Sequence, residues 1–439
     1  MDIKKRLAPS GFIALGLFIF LLYLSIIITL QSKPISDFDF YYQTALALEN
    51  ESVVNVFYKY FQAPGYPYFL CFLFKISGSS SIFIPQIFNA LMLTLLNFLL
   101  AKYNFIQNGY LRLFGLFVLA FNMNYFPMVS VLCSEIPYAF LFGGGFLLMG
   151  IFIEKVWESP AWSKKKMLTL GGTGIVLGAS QIIRPVTTPF LLLFTIVFLL
   201  GASYFFISRR KSLSHILRIL LPVWSGFVGT AVVLYYLSGY GLTSQPLQNG
   251  LWNIYVGFNA EAKGRWNLQD SHLIGLIGHE SNWNAQKVNA KLFIALKERV
   301  RKNWVNQFRN LPDKLSMLLD PTGIPQWALE KSSLQARGLV YKLGKYFHLF
   351  NLFIAGLSFL GLLSIVRKRK VSSAEFLVML LTATVLANLF LHACLLEIQG
   401  RYVSHLMLIL FWCFPFHIEF LWQRYLSKRT GSIDSGRKI

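Results

Sequence analysis

Long apolar runs alternate with short polar breaks through most of this sequence. Ten of them come close to, or reach, the ~20 residues that a helix needs to cross the hydrocarbon core of a bilayer. They lie near 11–30, 82–101, 111–131, 137–153, 167–183, 186–207, 216–237, 347–366, 376–396 and 403–422. Between 31 and 81 the pattern changes. Phe38, Tyr41, Tyr42, Ala45 and Leu46 recur at helical spacing, which predicts a helix lying along the membrane surface. Phe57, Tyr58, Tyr60 and Phe61 follow, then the turn Ala63-Pro64-Gly65-Tyr66-Pro67 and an apolar stretch from Tyr68 to Phe74. Aromatic rings at this density suit the headgroup region. The other long interruption, 238–346, opens with Gly239-Tyr240-Gly241 and continues through Asn253 to Asn267. A charged helical pattern then runs from Ala285 to Phe308, with Val288, Leu292, Ala295 and Leu296 on one face. A segment this small is expected to pack on the membrane part rather than fold alone.

Composition agrees with the pattern. Hydrophobic residues make up 55% of the 439-residue chain and charged residues 14%, where a soluble domain carries about a quarter charged residues. The expected fold class is an all-α polytopic membrane protein with about ten transmembrane helices. A first outer loop of surface helices and a small extracytoplasmic region between spans seven and eight complete it. The organisation read from this is an N-terminal membrane module over 1–237 containing the loop 31–81, an extracytoplasmic region over 238–346, and C-terminal spans with a tail over 347–439. The first run is too long for a signal-peptide core and lacks a small-x-small cleavage pattern, so it is expected to be retained.

The formal net charge of +22 raises nucleic acid as a partner. The placement of the charge argues against it. Lys4 to Arg6, Lys102 and Arg112, Lys164 to Lys166, Arg209 to Lys211, Arg367 to Lys370, and Arg424, Lys428 and Arg429 all fall on one side if ten spans alternate. That side is cytoplasmic by the positive-inside rule, which also places both termini there. The four cysteines, Cys71, Cys133, Cys394 and Cys413, have no metal-ligand spacing; three fall near the opposite face, where one disulfide is compatible, but they read first as small apolar fillers.

The opposite ends of the spans carry a different set of residues. Asp37, Asp39, Glu135, Arg184, Glu397 and Arg401 gather there from separate turns, with His392 and His405 near by. Charge at the membrane is costly, and its concentration on one face marks a candidate site holding both acids and cations. Each residue also has a structural reading. Ser36-x-x-Asp39 fits a capping box, which would explain Asp39 but leaves Asp37 without such a task. Glu135 could serve the dipole of its own helix, Arg184 could snorkel, and Glu397 and Arg401 stand at i,i+4. The two histidines on apolar spans read as satisfied core residues, and Lys263 and Arg265 as part of a solvated face. No His/Asp spacing demands a metal.

Taken in order, these motifs resemble those of the GT-C class of membrane glycosyltransferases. Within it they resemble the bacterial relatives of protein mannosyltransferases and aminoarabinose transferases. The acidic residue after the first span with a Tyr four positions on is Asp37 with Tyr41. The Pro-Gly-Tyr-Pro turn containing Tyr66 is the next landmark, followed by Ser134-Glu135, Ile183-Arg184-Pro185 and Gly400-Arg401-Tyr402. The chain departs from the pattern where Phe38 separates Asp37 from Asp39, instead of two adjacent acids. The resemblance implies transfer of a sugar from a polyprenyl-phosphate donor to a glycan, lipid or protein acceptor, with inversion, in a bacterial plasma membrane. It implies a catalytic role for Asp37, Asp39 and Glu135, and donor-phosphate binding by Arg401, Arg184 and Tyr402. Tyr41, Tyr66 and Glu397 would position the substrates. No cofactor is required, although a divalent cation is compatible with Glu135. The alternatives are a flippase or transporter of lipid-linked saccharides, which expects ionisable residues at mid-membrane, and an O-antigen ligase or polymerase, which needs the arginines but not the early carboxylates.

Overall fold

Breaks in the apolar pattern become helix ends. The computed structural model describes residues 9–51, 63–103, 106, 108–158, 163–207, 213–238, 249–322, 329–330, 332, 334–368 and 371–435, and among them there are helices and no strand. The membrane part is built from α1 (Pro9–Leu30), α4 (Phe83–Lys102), α5 (Gly109–Ala120), α6 (Glu135–Glu158), α7 (Lys164–Ile183), α8 (Thr187–Ile207), α9 (Leu213–Leu237), α14 (Leu334–Val366), α15 (Ser373–Leu395) and α16 (Ser404–Ser435). Two outer-loop helices, α2 (Asp37–Asn50) and α3 (Gly65–Ser77), lie between α1 and α4. Four more, α10 (Asn249–Gly257), α11 (Leu268–Glu280), α12 (Ala285–Arg309) and α13 (Leu311–Leu318), lie between α9 and α14. Among the described residues eight helices are long and apolar enough to cross a membrane, and α5 and α8 contribute shorter apolar stretches. The chain is an all-helical polytopic membrane protein.

The third expected span, 111–131, is not one helix. α5 has only 12 residues, about 18 Å of rise. The chain then turns through Asn122 and Asn124 into a 3-10 turn at Pro127–Ser130. Exposed irregular backbone cannot sit in hydrocarbon, because its polar groups would lack partners. Here residues 122–125 and 127–134 are buried in the bundle, and neighbouring helices supply the partners. Tyr23 on α1 donates to the Ala120 carbonyl at 2.8 Å, Asn97 on α4 donates to the Tyr23 hydroxyl at 2.9 Å, and Asn89 donates to the Val131 carbonyl at 3.0 Å. Gln86 also bonds the Ser130 carbonyl. The polar side chains of α4 exist to satisfy this segment, a pairing that an apolar-run count cannot see.

α2 forms over the expected helical stripe and turns it inward: Phe38, Ala45 and Leu48 are buried, while Tyr41, Tyr42 and Leu46 are half-buried. Tyr42 packs edge-on against Phe74 of α3 and donates to the Ser80 carbonyl, joining the two surface helices to the start of α4. The expected turn at 63–67 ends in helix, because α3 begins at Gly65. Phe57, Tyr58, Tyr60, Phe61 and Gly239-Tyr240-Gly241 lie outside the described residues.

The outer helices are held by polar bonds around a small core. Leu292 and Leu296 of α12 pack on Tyr255 of α10. Arg299 lies over the Tyr255 ring at 3.6 Å, donates to the Tyr255 carbonyl, and pairs with buried Asp270 at 2.7 Å. This region then presses on the turn after α15. A Cβ at Gly257 would stand 2.5 Å from the Leu396 carbonyl carbon, so only glycine allows the approach. The Ile398 amide donates to the Gly264 carbonyl at 2.8 Å, and buried Lys314 donates to the Gly257 carbonyl at 2.7 Å. α12 bears Lys287, Lys291, Lys297, Arg299, Arg301, Lys302 and Arg309 against Glu298. Part of the net charge is therefore on this outer region, and the one-sided placement of basic loops is not its whole explanation. Long outer segments are less bound by that rule.

The tightest helix pair is α7 with α9. Gly174 and Gly178 on α7 face Val223 and Phe227 on α9 so closely that a Cβ at Gly174 would lie 2.1 Å from the Val223 carbonyl oxygen. Small residues permit such backbone contact between membrane helices. Gly172, one turn-face away, has open space for a Cβ. Gly174→Val is therefore expected to destabilise the detergent-solubilised protein by about 3 kcal/mol, read as a lower thermal midpoint, while Gly172→Val leaves it near the parent. Equal midpoints for the two variants would contradict the packing.

Candidate active site

The ends of α1, α7 and α15 and the starts of α6 and α16 meet at one end of the bundle, away from Lys102, Lys164 to Lys166 and Lys368. A cavity of about 680 Å³ opens there, and its walls include Asp37, Tyr41, Glu135, Arg184, Arg401 and Tyr402. Six of the residues singled out in the sequence thus share one space.

Asp37 is positioned by the link from α1. The Phe38 amide bonds the Ile35 carbonyl at 3.0 Å, closing a turn with Ser36 at φ 47° and ψ −127°. That conformation favours glycine, and a Ser there is strained. Ser36 makes no side-chain cap bond to α2, so the expected capping box is not formed. Asp39 stays exposed and accepts a long bond of 3.4 Å from Gln43. Residues two apart on a helix point about 200° from each other. Asp37 and Asp39 therefore cannot both face the cavity, and Asp37 is the one that does.

Both cavity carboxylates face guanidinium groups. Arg401 Nη2 lies 2.7 Å from Asp37 Oδ2, and Arg184 Nη1 lies 2.8 Å from Glu135 Oε1. The first pair joins residues 364 apart in the chain. Tyr402 stands between the cations, with Arg401 Cζ 5.2 Å and Arg184 Cζ 6.0 Å from its ring centre. Exposure grades from the floor to the mouth: the side chain of Glu135 is 2% exposed, those of Arg401 and Arg184 11% and 12%, and that of Asp37 38%. Glu135 lines the cavity, and its Oε2 is buried without a hydrogen-bond partner.

Gln399 sets the Arg401 side chain by accepting from its Nε at 2.9 Å. Gln399 in turn donates to Glu397. Glu397 is buried behind this chain and outside the cavity wall, and burial pushes its carboxyl above the ordinary range. Residues 397–399 are not helical and 400–402 form a 3-10 turn, so Glu397 and Arg401 do not form a helical i,i+4 pair. Burial works against the charge of Arg401, but Tyr402, Glu135 and Asp37 more than offset it and raise its pKa. Arg184 is raised in the same way, with Glu135 opposing the effect of burial. Burial, aided by Glu135, pushes the Tyr41 hydroxyl up to about 12. Tyr66 lies behind Tyr41 with ring centres 5.1 Å apart, and it does not line the cavity.

Several wall residues were not marked by the sequence as part of a site. Asn253 and Ile254 come from α10 of the outer region, and Asn388 from α15. His405, read as a core histidine, lines the cavity while packing edge-on against Tyr138 and Phe142 at 5.4 and 5.1 Å. It caps a ladder of Phe142 and Phe146 on α6 with Phe190, Phe194 and Phe198 on α8, a stiff apolar floor under the polar site. His392 donates from Nε2 to the Glu397 carbonyl at 3.0 Å. A single polar residue on an apolar helix gives the same sequence signal whether it faces a core or a cavity.

Among the described residues no three His, Cys, Asp or Glu side chains converge as a metal-ligating group. Asp37 and Glu135 each meet a guanidinium where a shared cation would need both. All four cysteines are free thiols.

No family model and no curated protein matches the chain. Among solved structures it is similar to the archaeal oligosaccharyltransferase AglB from Archaeoglobus fulgidus, in complex with an inhibitory peptide and a dolichol-phosphate. The TM-score is 0.45 at 11% identity, over 98% of this chain and 52% of that one. The chain spans about half the length of that protein.

The buried Glu135–Arg184 pair leads to a stability prediction. Removing one partner leaves the other charge uncompensated, which costs about 3–5 kcal/mol. Glu135→Ala should therefore lower the thermal midpoint markedly, and adding Arg184→Met should recover part of the loss. A Glu135→Ala protein as stable as the parent, or a double variant that is merely additive, would show that the pair does not form.

Proposed function

We propose that the protein is an integral-membrane glycosyltransferase that moves a sugar from a polyprenyl-phosphate donor to an acceptor hydroxyl at the end of the bundle where Asp37 lies. That end is the non-cytoplasmic face. The acceptor belongs to a cell-surface glycan, a lipid or a protein, and the membrane is a bacterial plasma membrane. The observation that carries the reading is the Asp37 carboxylate at the mouth of a cavity whose deeper wall holds two guanidinium groups.

The division of labour follows from charge and depth. A phosphate leaving group gains negative charge as its bond to the sugar breaks, and fixed cations stabilise it. Arg401 and Arg184 supply guanidinium groups, which suit phosphate oxygens in paired hydrogen bonds. Leu391 and Leu395 lie on the cavity wall and are each 43% exposed on α15, so the apolar wall continues to the bundle surface. A prenyl chain can enter from the bilayer along it while the phosphate reaches the arginines. The acceptor arrives from the open side, where Asp37 is most exposed.

Asp37 then acts as general base. It takes the proton of the acceptor hydroxyl as that oxygen attacks the anomeric carbon. The bond from that carbon to the phosphate oxygen breaks, and polyprenyl phosphate leaves with the electron pair. Displacement from the face opposite the phosphate inverts the anomeric centre. A carboxylate has lone pairs on both oxygens, so Oδ2 can remain on Arg401 while Oδ1 receives the proton. Glu135, on the cavity wall, holds Arg184 in place through their ion pair. Tyr41 and Tyr402 wall the sugar space, Tyr66 backs Tyr41, and Glu397 positions Arg401 through Gln399. Asp39 has no part in the chemistry. The reaction needs no cofactor.

Asp37→Asn keeps the shape and removes the base. In proteoliposomes supplied with labelled polyprenyl-phosphate sugar and candidate acceptors, transfer should fall by about 10²–10⁴-fold, while Asp39→Asn stays near the parent. Full transfer by Asp37→Asn would remove Asp37 as the base. Movement of the lipid across the membrane with its sugar–phosphate bond intact would replace the transferase with a flippase.

A further inference from the structure

A second pocket, about 390 Å³ in volume, lies at the other end of the bundle, between the end of α14, the start of α15 and residues 420–424 of α16. Its chemistry differs from the first. Arg367, Lys368 and Arg424 bring three cations to a wall that holds one carboxylate, Glu375. That carboxylate is already engaged: Lys368 Nζ donates to it at 2.6 Å, and it accepts the Ser372 amide at 2.8 Å in the capping box of α15. With three cations and one carboxylate, the wall of the pocket carries a net positive charge. Arg424 is set in place from a different helix, since its Nη1 donates to the Ser364 carbonyl at 2.9 Å.

The surroundings fix the depth of this pocket. Trp422 and Tyr425 on α16 are 61% and 56% exposed and stack with ring centres 6.1 Å apart. Exposed rings of these two types belong to the interface between headgroups and hydrocarbon. Leu360, Leu363 and Val366 form an exposed apolar stripe along α14 that runs up to Arg367. A phosphate group in the pocket would therefore sit at headgroup level, with an apolar path for acyl chains beside it. Basic pockets between membrane helices recognise anionic headgroups through this arrangement.

We propose that this pocket binds the phosphate headgroup of an anionic glycerophospholipid, in the leaflet opposite the candidate active site, and ties α14, α15 and α16 together there. The ligand is recognised through Arg367 and Arg424, its phosphate oxygens accepting from the guanidinium groups. The proposal is independent of the catalytic reading, because it uses none of the active-site residues.

The test uses the full-length protein in phosphatidylcholine nanodiscs, with bound lipid counted by native mass spectrometry as phosphatidylglycerol is titrated. Phosphatidylglycerol should be retained in preference to phosphatidylcholine. Arg367→Gln/Arg424→Gln should weaken its binding roughly 30-fold, at about one surface-charge contribution per arginine. Lys164→Gln/Lys165→Gln, at the same end but outside the pocket, should leave it unchanged. If the double variant does not fold, Arg367→Gln alone should weaken binding about fivefold. Equal retention of the two lipids would overturn the proposal, as would parent-like binding by the pocket variant or an equal loss in the Lys164/Lys165 control. Displacement of the lipid by millimolar inorganic phosphate would instead make this a site for free phosphate.

Discussion

Two carboxylate–guanidinium pairs at one rim of the bundle decide how the rest of the structure is arranged. Asp37 with Arg401 joins the first outer loop to the turn before the last helix, and Glu135 with Arg184 joins the start of α6 to the end of α7. Glu135, Arg184 and Arg401 are nearly buried, and buried charges persist only when paired and hydrogen-bonded. The surrounding elements meet that requirement: Gln399 holds Arg401, Tyr402 lies between the cations, and the outer helices press on the turn that carries them. The result is a polar cavity over an aromatic floor. Its cations and carboxylates are held in advance of any ligand, which is the condition for electrostatic stabilisation of developing charge.

The same requirement for satisfied polar groups explains the irregular backbone inside the membrane part. The segment after α5 gives up helical hydrogen bonds, and Tyr23, Asn89 and Gln86 replace them, with Asn97 holding the Tyr23 hydroxyl. Because this segment ends at Glu135, the polar residues of α4 indirectly place a wall of the cavity. The outer region acts from the other side. Gly257 and Gly264 bring it against residues 395–398, and its helix α10 adds Asn253 and Ile254 to the cavity. A site at a membrane rim is thus assembled from packing on three fronts.

Much of this was legible in the sequence, for identifiable reasons. Apolar runs locate membrane helices because hydrocarbon tolerates little else, and charge at the ends of those runs stands out as a cost that needs a reason. Asp37, Glu135, Arg184 and Arg401 were visible on those grounds. Partner choice was not: the i,i+4 spacing of Glu397 and Arg401 suggested a local pair, whereas Arg401 reaches a residue at the far end of the chain. The capping pattern at Ser36 separated Asp37 from Asp39 through a bond that is not made, because the turn holds Ser36 at positive φ. Helix geometry makes the separation instead. His405 was read as a core residue, and Asn253 and Asn388 were not marked as site residues, because a lone polar residue on an apolar helix carries no sign of what it faces.

The central claim is that the rim cavity receives a lipid phosphate on its arginines. Its most direct test is the affinity of purified protein for polyprenyl phosphate itself, which needs neither the sugar nor the acceptor to be known. Parent protein should bind it in preference to the corresponding polyprenol. Arg401→Gln should reduce that preference at least tenfold, as expected for one lost charge-assisted hydrogen bond. Equal binding of phosphate and alcohol by the parent, or an Arg401→Gln protein that binds polyprenyl phosphate as the parent does, would contradict the account.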